Sequence, residues 1–165
     1  MPKAINSGYS GLQIALHWVI ASLVLFQLLF GESMTAVVDA AEEGGTVDPL
    51  DQSLSTAHYW VGIAILALVA LRIVVRLVQG APAVTTPSTL MTRAAFATHM
   101  AFYVLLVAVP TTGLLGFYLG DPWGEFHAFA KPVFIVLIVV HAAAALFHQF
   151  WLKDGTLRKM LVPAR

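Results

Sequence analysis

Six histidines and no cysteine in 165 residues set the chemistry open to this chain. Without thiols there is no thiolate-ligated iron–sulfur cluster, no disulfide, no covalently attached c-type haem and no cysteine nucleophile. Histidine remains. His127 and His141 stand 14 residues apart in one apolar run. That spacing is close to four helical turns, so both imidazoles leave one stripe of a helix, about 21 Å apart along its axis. Ionisable side chains inside hydrocarbon are costly and typically functional. Two imidazoles facing each other across a helical bundle are what axial ligation of a b-type haem requires, iron taking one nitrogen above and one below. A helix carrying histidines at two depths therefore needs two partners at matching depths, and His17 and His58 are the candidates.

The elements that must position them follow from composition. With 59% apolar and 11% charged residues, the chain is an integral membrane protein rather than a soluble domain. Apolar runs predict an all-α, single-domain bundle over residues 1–165 with four transmembrane helices, at about 12–30, 56–78, 94–119 and 125–152. Residues 1–10 are short and polar, with Lys3, and do not read as a cleavable signal peptide. Glu32 to Ser55 carries six acids and no base and reads as a solvated loop. Pro82 and Pro87 mark a second loop, and Gly120 to Gly124 a tight turn. Pro110 predicts a kink in the third span. Lys153-Asp154-Gly155 ends the fourth, before a short basic tail.

Four spans put both termini and the second loop on one side. That side collects eight of the nine basic residues, Lys131 being the exception, and one acid, Asp154, of nine. The positive-inside rule then places both termini in the cytoplasm. Trp18, Trp60, Trp123 and Trp151 lie near span ends, as interfacial belts require.

With this orientation His58 and His127 pair in the outer half and His17 and His141 in the inner half. A histidine-only zinc site would instead gather three or four ligands at one depth. A proton relay would recruit carboxylates, and the spans have none near mid-membrane. Hydrogen-bonded core histidines are the bland alternative. His148 competes by depth with His141 as the partner of His17, but only His141 shares a stripe with His127. His99, near the inner face, could pack, bond a haem propionate or line a quinone pocket. Arg72 lies 14 residues from His58, hence on the same face, where it could bridge a propionate or simply snorkel, as could Arg76. Lys131 could serve a propionate of the outer haem or attract a small anion.

Three stretches resemble the bacterial cytochrome b561 family: Leu12-Gln13-Ile14-Ala15-Leu16-His17-Trp18; Met91 to Gly116 with Val109-Pro110 and Gly113; and His141 to Leu157, containing His148, Trp151 and Lys153-Asp154-Gly155. The resemblance covers about residues 9–160. It implies a four-helix protein of the bacterial inner membrane with two b haems, whose axial histidines carry over onto His17, His58, His127 and His141. It also implies electron transfer between a periplasmic one-electron donor and the quinone pool. The activity could be superoxide oxidation coupled to ubiquinone reduction, or that of a cytochrome b anchor and relay subunit of a periplasmic dehydrogenase. No nucleic-acid partner is expected. The 32–55 segment departs from the superoxide role, because six acids would repel that anion and would instead suit a basic periplasmic redox protein.

Overall fold

A computed structural model describes residues 8–80, 82 and 88–164. The expectations for Lys3, Arg165 and most of the 81–87 loop, Pro87 included, fall outside the described residues. The chain is all-helical: α1 (Gly11–Phe30), α2 (Glu32–Glu43), α3 (Pro49–Gln79), α4 (Thr89–Leu119), α5 (Trp123–Phe147), a π-helical turn (His148–Leu152) and the short α6 (Thr156–Lys159). Four of these, α1, α3, α4 and α5 with its π-helical turn, are long and apolar enough to cross a membrane.

The helix starts are written in polar residues. Ser10 accepts from the Gln13 amide while the Gln13 side chain bonds back to Ser10, a capping box that opens α1. Asp48 caps α3 ahead of Pro49 at its first position, and Ser88 caps α4. These caps begin α3 and α4 earlier than the expected 56 and 94. Hydropathy detects only the apolar part of a helix, whereas both helices continue for one or two polar turns beyond it.

The acidic segment departs from expectation. Residues 32–43 form a helix rather than a loop, closed by Gly44 in the left-handed conformation with φ 72°. Alanines and glutamates are good helix formers, Glu32 lies favourably at the N-terminus, and Ser33 is buried where α2 packs along α3. Charge alone gave the wrong reading here. α4 runs on through Pro110, with the Thr111 and Thr112 hydroxyls bonded to the Val107 and Val109 carbonyls.

α1 packs on α3, α3 on α4, and α4 on α5. Ile20, Ile65 and the fully buried Val69 form the α1–α3 core. Most other large apolar side chains, such as Leu77, Val136 and Phe150, face outward, which suits lipid rather than water. The basic tail is not free: the Trp18 indole donates to the Met160 carbonyl and the Ala164 amide to Tyr9, so the C-terminus folds back against the start of α1.

Candidate functional site

At the end of the bundle that carries α2, His58 near the start of α3 faces His127 near the start of α5, with ring centres 5.9 Å apart and planes at 83°. Towards the end where Tyr9 meets Ala164, His17 of α1 faces His141 of α5 at 6.4 Å and 60°. Two imidazoles bound to opposite sides of one metal through bonds of about 2 Å have ring centres about 6 Å apart. Both pairs have that spacing. The backbone agrees: among the described residues α5 packs closely on α4, while its backbone contact with α1 and α3 is slight at most. The histidines thus reach across gaps between helices, as a macrocycle between them would need.

Local sequence makes room for the first pair. His127 lies against Gly113, where a Cβ would come within 2.8 Å of its Nδ1, too close for any residue but glycine. Gly116 and Gly124 let α4 and α5 approach so that a Cβ on Gly116 would meet the Gly124 backbone at 2.9 Å. The His127 Nδ1 then hydrogen-bonds the Val109 carbonyl at 2.8 Å, which fixes the ring and leaves Nε2 as the nitrogen free to bind a metal. His58 has no counterpart: its Nδ1 is buried without a hydrogen-bond partner among the described residues. The Gln27 side chain donates from Nε2 to the His58 carbonyl at 2.9 Å, and its Oε1 is likewise buried and unpartnered.

Around the second pair, the His141 ring also neighbours His99 at 5.6 Å and Phe102 at 5.2 Å. Arg72 donates from Nη1 to the Gln13 carbonyl at 2.8 Å, one turn before His17. Arg76 lies over the Tyr103 ring at 5.9 Å. Tyr9, Gln13, Arg72, Arg76 and Tyr103 line one narrow cleft there, and neither arginine is in an ion pair among the described residues.

His148 is not brought to His17. Its Nδ1 is paired with the Asp154 carboxylate at 2.5 Å, and the other oxygen of Asp154 accepts from the Thr156 amide and hydroxyl. Lys131 is ion-paired with Glu32 at the start of α2, which commits the cation that sequence left for an anion or a propionate. Among the described residues no three or more histidine or carboxylate side chains gather to hold a bare metal ion. Sequence reasoning missed Gln27, Gly113 and the Val109 carbonyl. Gly113 fell within a quoted motif but had no role until α5 was placed beside it.

Residues 8–163 match the family described as prokaryotic cytochrome b561. Among curated relatives, cytochrome b562 of Cereibacter sphaeroides is 39% identical over 94% of this chain and 96% of its own length. The probable superoxide oxidase CybB of Yersinia pestis is 28% identical over 98% and 99%. Cytochrome b561 homolog 1 of Escherichia coli is 28% identical over 93% and 96%. With four membrane-crossing helices and facing histidines at two levels, the chain belongs to the prokaryotic cytochrome b561 family, multi-pass membrane cytochromes of b type that work in electron transfer.

Proposed function

We propose that the chain holds two b haems and carries single electrons across the bacterial inner membrane, from a periplasmic donor to the quinone pool. The observation that carries this reading is the repeated pair of imidazoles about 6 Å apart at two levels of one bundle, both pairs sharing α5. His58 and His127 would hold one haem toward the periplasmic side, and His17 and His141 the other toward the cytoplasmic side. Haem b bound there would supply a reversible one-electron couple. The chain's own residues do the rest. The Val109 carbonyl orients His127 and raises the basicity of its ligating nitrogen. Arg72 and Arg76, with His99 nearby, provide positive charge and donors for a propionate beside the His17/His141 pair. Hydrocarbon-facing side chains on every span keep water from both levels.

The donor is read from the periplasmic face. Eight of the nine acids fall on that side and its one base, Lys131, is neutralised by Glu32. A basic redox protein is thereby attracted and a small anion is not. A periplasmic dehydrogenase for which this chain serves as membrane anchor and relay fits the same surface. The name of the Yersinia relative favours a second reading, in which two superoxide ions give up one electron each and one ubiquinone takes up both with two protons, leaving two molecules of dioxygen and one ubiquinol.

Pyridine haemochrome assay and a reduced-minus-oxidised spectrum of the purified protein, followed by stopped-flow mixing with superoxide, test both. About two haem b per chain that stay oxidised in superoxide, yet are reduced by a basic periplasmic partner, support the relay. Rapid superoxide-dependent reduction moves the assignment to the oxidase. A protein without haem overturns both.

A further inference from the structure

On the α1–α3 seam two buried polar atoms lack hydrogen-bond partners among the described residues, and they belong to residues already in contact. Gln27 Nε2 donates to the His58 carbonyl at 2.9 Å, so the amide orientation is fixed: the carbonyl must face a donor, and Oε1 is left as an acceptor. His58 Nδ1 too is buried and without a hydrogen-bond partner among the described residues. When Nε2 binds metal, neutral imidazole carries its proton on Nδ1, so that atom is a donor seeking an acceptor. Donor and acceptor are complementary, and leaving both buried and unpaired is costly. Two glycines border the pair: a Cβ on Gly62 would lie 3.4 Å from Gln27 Nε2, and one on Gly31 3.6 Å from His58 Cε1 and 3.9 Å from Nδ1, all ordinary contact distances. On the opposite ligand the Val109 carbonyl already plays the acceptor's part for His127 Nδ1.

From this arrangement we infer that Gln27 is a positioning residue for the periplasmic haem site, its Oε1 linked to the His58 Nδ1–H through one buried water. The inference rests on His58 and His127 being axial ligands. Each of the two ligands then has its own acceptor, a backbone carbonyl for His127 and, through the water, a side-chain amide for His58. The Gln27 acceptor is the one that mutation can remove. An acceptor on Nδ1 makes the imidazole more electron-donating, which favours the oxidised metal and lowers its reduction potential.

Spectroscopic redox titration of the whole, haem-loaded protein in detergent or nanodiscs tests this. Wild type resolves two components. Gln27→Met, close in volume but without an acceptor oxygen, raises the potential of one component and leaves the other in place. Gln27→Glu, titrated at pH 9 where the carboxyl is ionised, lowers that same component. A purely structural link between α1 and α3 would weaken the fold in both variants without moving one component in opposite directions. Two retained haems with unshifted potentials in Gln27→Met, or equal movement of both components, overturns the inference. Should Gln27→Met fail to assemble, an unchanged or raised component in Gln27→Glu overturns it. A wild-type protein lacking two haem components overturns the proposed function on which it rests.

Discussion

The side chains that define this protein are ordinary histidines, and their neighbours set them apart. His127 is held by an acceptor that has no side chain, the Val109 carbonyl, and by the space Gly113 leaves beside its ring. Gly113→Ala places a methyl group 2.8 Å from His127 Nδ1 and so must displace the ring. The expected outcome is a fall from about two haems per chain to about one, read by pyridine haemochrome, with the His17/His141 component retained. His58→Ala should give the same stoichiometry, while His17→Ala should spare the other component instead. Loss of both haems from any single substitution would contradict two independently held sites. Histidine identity and spacing were legible from sequence. The carbonyl and the glycine gap were not, because a backbone acceptor carries no residue signature and a gap exists only once two helices are adjacent.

Elements carry the next level. α2 was hidden behind its charges, yet it packs along α3 and is pinned to α5 by Glu32 and Lys131. Glu32→Gln releases Lys131 and removes an acid. Under the superoxide reading this substitution should raise the superoxide-dependent reduction rate at low salt, and under the relay reading it should slow reduction by a basic donor; stopped-flow measurements with each reductant check the two. At the opposite end, Asp154 joins the π-helical turn to α6 through His148 and Thr156. Burial alone would raise its pKa, but those hydrogen bonds outweigh burial and hold the carboxyl below its usual 3.8. A carboxyl depressed in the folded state adds stability above its unfolded pKa and loses it as pH falls through the lower folded value. The tail should therefore undock only below about pH 4. Limited pepsin cleavage beside Leu157 and Leu161 checks this at low pH, and Asp154→Ala should expose Arg158 and Lys159 to trypsin already at pH 7, with haem content unchanged.

For the whole molecule, charge is sorted between the two ends of the bundle. Among the described residues one end has eight acids and a single base paired with Glu32, the other the remaining arginines and lysines with Asp154. If the acidic end receives a basic donor, reduction of the cytochrome by that donor should slow by about tenfold or more as ionic strength rises from low to a few hundred millimolar. Reduction by a small neutral quinol should be nearly insensitive to salt. An unchanged rate with the protein donor would place docking elsewhere. Reversal of the termini in a protease-protection assay would turn the whole assignment over.

Sequence by itself determined the membrane class, the four spans, the histidine stripe of α5 and the absence of thiol chemistry, because composition, run length and helical periodicity are local properties of the chain. It also marked His17, His58 and His141 as the residues to bring to one bundle. Only the tertiary structure decided that α2 is a helix, that His148 turns to Asp154, that Lys131 is spent on Glu32, and that the Gln27 amide meets the His58 carbonyl. Each of these depends on which faces of distant segments meet. Packing settles that through contacts between residues tens of positions apart, such as Gln27 and His58 across the α1–α3 seam, and no local periodicity encodes it.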